Sequence, residues 1–111
     1  MTRTVADLDA ACDETLARAS EATSGRATLT LNGGEAGPLT QMVLALLAGR
    51  ELAEHENPGR ATLQVLRGRV MLRTAAEQWE LGAGQYIVIP PERHSLLAHE
   101  DAVVILTMVR S

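Results

Sequence analysis

Beyond Gly25 the chain is interrupted by Gly or Pro at intervals of roughly ten residues, and the segments between are short and either apolar or alternating. Short segments with Gly or Pro at nearly every break suit the strands of an antiparallel sandwich or barrel. Thr28–Leu31 alternates, and a reversal is marked by Asn32–Gly34 and Gly37–Pro38. Met42–Leu47 is continuously apolar, as a strand covered on both faces would be. A polar strand leads to His55, and further short strands are predicted around Trp79–Leu81, at Tyr86–Ile89, at His94–Ala98 and at Val103–Val109. Between them, Arg67-Gly68 reads as the turn of a hairpin in which Val65 faces Val70, Leu63 faces Leu72 and Ala61 faces Thr74. One face of that hairpin is apolar, and Thr62, Gln64, Arg69 and Arg73 occupy the other.

The segment before Gly25 has a different period. Thr4 and Asp7 resemble a capping box, and Val5, Leu8, Cys12, Leu16 and Ala19 then recur at helical spacing. A helix over Val5–Ala22, ended by Ser24-Gly25, is the reading. Its apolar stripe is narrow and rich in Ala, which places it on the outside of a larger body or against a partner subunit. The organisation is therefore an N-terminal helical segment, residues 1–25, followed by an all-β body, residues 26–111.

Composition bounds what such a body can do. At 111 residues one core is expected, and with 46% hydrophobic but only 2% aromatic residues that core is aliphatic. Little aromatic surface is left for stacking nucleobases, and the arginines are scattered through a chain of net charge −4, so no nucleic-acid partner is expected. Cys12 has no second cysteine with which to form a disulfide and reads as a small half-buried hydrophobe. The first residues lack the apolar run of a signal peptide, and no apolar stretch approaches the ~20 residues that span a bilayer. No membrane partner and a cytoplasmic location are expected.

His55-Glu56-Asn57 is followed by Gly68, and Gly84 is followed, across five residues, by Pro90 and then by His94. These two segments resemble the two motifs of the cupin superfamily, and the resemblance runs from about Gly49 to Val109. It implies a mainly β fold, a cupin-type jelly-roll β-barrel, here preceded by one N-terminal α-helix. In that family the first motif carries His-x-His, Glu and a turn Gly, and the second carries Gly, Pro and His. The histidines and the glutamate commonly hold a divalent metal such as Zn, Fe, Mn or Ni. Carried over, His55 matches the first histidine and His94 the histidine of the second motif. Asn57 stands where the second histidine would be and Ala61 where the glutamate would be, while Pro91-Glu92-Arg93 replaces the glycine usual after the proline.

Imidazole is a good ligand for Zn, Fe or Ni, an Asn carbonyl is a weak one, and Ala offers none. Tight sites supply three or four protein ligands, so a metal here would use His55, Asn57 and His94, with positions 55 and 57 on one face by strand alternation. Three readings stay open. One is that metal site, a second is a metal-free pocket, and a third is a pair of hydrogen-bonded core histidines. In the metal-free pocket His55, Asn57 and His94 orient a small polar ligand among Leu63, Val65, Leu72, Leu96 and Met108. His99 reads as a solvated turn residue, Gln64 and Arg73 as exterior residues, and Trp79 as a subunit-contact or lid residue. No nucleophile elbow, phosphate-binding Gly loop or paired interior carboxylates occur, so catalysis would rest on the metal. The expected function is a small-molecule-binding cupin, a homodimer, more readily than an enzyme. The alternative is a metal-dependent dioxygenase, isomerase or decarboxylase acting on a small organic acid or phenol.

Overall fold

The computed structural model describes residues 5–33, 38–55 and 59–110. One helix, α1 (Leu8–Glu21), precedes nine strands. These are β1 (Arg26–Asn32), β2 (Leu39–Leu46), β3 (Glu51–His55), β4 (Gly59–Arg67), β5 (Arg69–Arg73), β6 (Gln78–Gly82), β7 (Tyr86–Val88), β8 (His94–Ala98) and β9 (Ala102–Arg110). They form a five-stranded sheet of order β1-β2-β9-β4-β7 and a four-stranded sheet of order β3-β8-β5-β6, with every pairing antiparallel. Among the described residues the sheets are not closed into one barrel. They share an apolar layer in which Leu44, Leu63, Val65 and Val104 of the larger sheet meet Val70, Leu72, Leu81 and Leu96 of the smaller.

The helix begins later than the capping-box reading places it. Asp7 is the N-cap, its carboxylate accepting from the backbone N–H of Asp9 (3.1 Å) and Ala10 (3.3 Å), while Thr4 lies outside the described residues. Ala11, Cys12 and Ala19 then pack on the outer face of the larger sheet against Val43, Ala45 and Val103. β2 thus sits between two apolar layers, with Leu44 and Leu46 facing one and Val43 and Ala45 the other, which is the physical meaning of its unbroken apolar run. Arg67 reaches out from the end of β4 to grip the helix, donating to the Asp13 carboxylate at 2.6 Å and to the Asp9 carbonyl at 3.3 Å.

The expected hairpin between residues 61–66 and 69–74 does not form. β4 pairs with β9 and β7, so that Leu63 opposes Leu106 and Ile87, while β5 pairs with β6 and β8, so that Leu72 opposes Trp79 and Leu96. Gly68, at φ +79°, is a corner at which the chain leaves one sheet for the other. A Cβ there would run into the Asp101 carbonyl oxygen and lie 2.9 Å from the Ala102 Cα, because the β8–β9 connection changes sheets at the same place. His99 and Glu100 seal the junction by donating their N–H groups to the Arg69 carbonyl (2.9 and 3.4 Å). The parity reading survives the change of partner: Ala61, Leu63, Val65, Val70 and Leu72 all enter the shared core. Gln64 and Arg73 are exposed.

Candidate functional site

Opposite the Gly68 corner lies the other end of the sandwich, where β3 ends, β8 begins and the 74–77 and 89–93 connections pass over the core. His94 opens β8 and is only 3% exposed. Its Nδ1 sits 3.0 Å from the Glu92 carbonyl oxygen. A carbonyl can only accept, so Nδ1 carries the hydrogen of this bond. Such a bond holds the imidazole in one orientation.

His55 ends β3 as the direct cross-strand partner of His94. That placement depends on an irregularity. Leu52 opposes Leu96, and regular pairing would then set Glu54 opposite His94; one extra residue in β3 between Leu52 and His55 brings position 55 there instead. Directly opposed residues of an antiparallel pair have Cα atoms ~4.5–5.5 Å apart, so the backbones at 55 and 94 are brought close together. Asn57 lies outside the described residues.

The apolar residues of the expected pocket are graded by depth. Leu63, Val65, Leu72 and Leu96 are fully within the core layer, and Met108, the cross-strand partner of Ala61, is partly buried against it. Ala61 itself is buried, and its methyl group supplies no donor at the position where the cupin motif has glutamate. Among the described residues no group of three or more His, Cys, Asp or Glu side chains is placed to hold a metal ion. The described donors therefore do not make up the usual cupin metal set. Trp79 packs against the core layer beside Leu72, and His99 lies outside on the smaller sheet with its Nε2 3.2 Å from Glu80.

Features not read in advance complete this end. Thr74 closes the β5–β6 connection, its Oγ1 accepting from the N–H of Ala76 (3.3 Å) and Glu77 (3.1 Å); the run Thr74-Ala-Ala-Glu77 carries that signal. A cavity of about 250 Å³ lies between this turn and Glu92-Arg93, and another of about 270 Å³ is lined by Arg60, Ala61, Val88, Ile89 and Pro91. On the outer face of the smaller sheet, Glu51 pairs with Arg73 (3.0 Å) and Glu80 with Arg69 (3.6 Å), exposed bridges of modest energy.

No protein-family model matches the chain, and no curated protein matches it. Solved structures do. A conserved protein of unknown function from Streptococcus pyogenes is 25% identical, with TM-score 0.75, over 100% of this chain and 90% of that one. A cupin superfamily protein from Desulfitobacterium hafniense is 11% identical, with TM-score 0.71, over 78% of each chain. An RmlC-like cupin from Shewanella frigidimarina is 18% identical, with TM-score 0.70, over 79% of this chain and 78% of that one. The chain thus has a cupin-like fold, mainly β, with one helix among the described residues. No helix among the described residues is long and apolar enough to cross a membrane.

Proposed function

We propose that this domain binds a small molecule at the end of the sandwich where positions 55 and 94 oppose each other. The observation that carries the reading is His94. A polar ring has been taken almost wholly out of water, at a cost that only its hydrogen bonds offset, and its Nδ1 is held by the Glu92 carbonyl. In this reading His94, His55 and Asn57 supply the polar contacts. Leu72, Leu96 and Met108 supply the apolar wall and Leu63 its floor, with Val65 deeper still toward the Gly68 corner. The corners at which β4–β5 and β8–β9 change sheets support the finer description of a jelly roll. A homodimer, formed through exposed apolar side chains of the larger sheet, Tyr86 and Val109, belongs to the same proposal.

A specific observation keeps the metal-dependent reading as a second one: the extra residue in β3 sets position 55, and not Glu54, against His94. If a Zn, Fe, Mn or Ni ion were bound, His94 and His55 would be its imidazole ligands, and the ion would supply Lewis-acid or redox chemistry for an organic substrate.

The test is a melting-temperature screen of small polar molecules on wild type and His94→Ala, with elemental analysis of protein purified without chelator or affinity metal. A ligand at about 100 times its Kd stabilises by ~2.7 kcal/mol, which is readily seen as a shifted melting temperature. Shifts seen in wild type and lost in His94→Ala support the proposal. Stoichiometric metal that disappears in His94→Ala transfers support to the metal-dependent reading. A His94→Ala protein that folds and responds to every compound as wild type does overturns both.

A further inference from the structure

The β4–β7 pairing ends for a chemical reason. Ile89 donates its N–H to the Ala61 carbonyl at 2.9 Å, and the next two residues, Pro90 and Pro91, have no N–H to donate. The chain therefore peels away from β4 there and leaves the cleft of about 270 Å³ lined by Arg60, Ala61, Val88, Ile89 and Pro91. Its floor is apolar, with Ala61 and Ile89 buried, and Val88, 61% exposed, forms a wall. Among the described residues lining the cleft, Arg60 alone is charged.

All ten basic residues of this chain are arginines, and Arg67, Arg69 and Arg73 each have a carboxylate oxygen within 4 Å. The Arg60 side chain makes no hydrogen bond and no ion pair among the described residues. Its planar fork of donors, beside an apolar floor, matches the two oxygens of a carboxylate that carries a hydrocarbon body. The cleft is slightly smaller than the ~300 Å³ at which pockets for drug-sized ligands begin, so the hydrocarbon is short.

We propose that the Arg60 cleft holds a small apolar monocarboxylic acid, with the guanidinium gripping the carboxylate and the hydrocarbon lying against Val88, Ile89 and Pro91. The inference rests on the preceding reading only in taking this end of the sandwich as the ligand end. The residues that define it are different, so the two can fail separately.

Binding of hexanoate and phenylacetate to the full chain is measured by calorimetry at low ionic strength, with hexanol and hexylamine as uncharged and cationic controls. Both acids are expected to bind wild type, and the controls at least about ten-fold more weakly. Arg60→Gln should weaken the acids by about ten-fold or more, and Arg60→Lys by less, because an ammonium keeps the charge without the fork. Val88→Asp, at an exposed position tolerant of polarity, should weaken them similarly by placing a carboxylate in the cleft. His94→Ala should leave hexanoate affinity unchanged. Failure of both acids to bind at millimolar concentration, or equal affinity in Arg60→Gln and wild type, overturns the assignment. Loss of hexanoate in His94→Ala with retention in Arg60→Gln would place the acid in the histidine pocket instead, and would also overturn it.

Discussion

At one end of the sandwich Gly68 abuts Asp101 and Ala102, Val65, Val70 and Val104 are sealed beneath, and Arg67 ties the helix to the larger sheet. At the other end a buried histidine, a partly buried methionine and two cavities of about 250 and 270 Å³ interrupt the packing. The same strands run between both ends. What differs is how the connections finish them: backbone pressed against backbone at the first, and proline- and threonine-built turns standing off the core at the second. The contrast teaches that stability and recognition are placed apart along one set of strands. A buried aliphatic side chain contributes ~1.5–3 kcal/mol, so the sealed packing is where stability is concentrated.

The largest expected effect tests the closed end directly. Gly68→Ala should destabilise by about 3 kcal/mol or more, because it adds a left-handed φ of +79° to a clash with backbone that cannot move aside. Gly84 has φ +86° with nothing within 4 Å of an added Cβ, so Gly84→Ala should cost only ~1–2 kcal/mol. Urea unfolding of the two variants separates sterics from φ. Equal losses would mean that the Gly68 junction is no tighter than an ordinary turn.

Side-chain truncation compares the interior with the opening. Leu72→Ala, in the fully buried layer, should lose ~2–5 kcal/mol, whereas Met108→Ala, only partly buried, should lose about 1 kcal/mol. Similar losses in denaturant melts would erase the gradient of packing between the ends.

Much of this contrast was legible in the sequence, and the missing part has a physical cause. Alternation assigned the face of each strand residue, so Leu63, Val65, Val70 and Leu72 were placed in the core from the period alone. Alternation is silent about the partner strand. Arg67-Gly68 satisfies a hairpin turn and a corner equally well, and only the distant Asp101 carbonyl, brought up by the β8–β9 connection, makes it a corner. His94 was marked by its motif. The extra residue in β3 that sets His55 opposite it left no trace in composition or spacing. Arg60 carries no signal in the sequence, because its meaning comes from the lack of a carboxylate partner among the described residues, and sequence does not list neighbours in space. Trp79, read as a lid or contact residue, is partly buried against the core layer opposite Leu72.

The smallest expected effect concerns Cys12, which reports on the closed end from outside. Its thiol is buried between α1 and the larger sheet, and that burial raises its pKa, with Arg67 opposing and Asp9 and Asp13 reinforcing the shift. The folded protein then holds the proton to higher pH than the unfolded chain, where the thiol titrates near ~8.5. Stability attributable to Cys12 is therefore complete below that value and declines as pH rises through it toward the folded-state pKa. Comparing urea unfolding of wild type and Cys12→Ala across this range isolates the decline, since the lost packing of Cys12→Ala is the same at every pH and only the thiol adds a slope. At neutral pH a thiol reagent should label Cys12 at least about a hundredfold more slowly than in the urea-unfolded chain. Arg60→Gln and His94→Ala should leave that rate unchanged, because both act at the far end. Labelling that accelerates in either variant would show that the two ends open together and that the separation of stability from recognition fails.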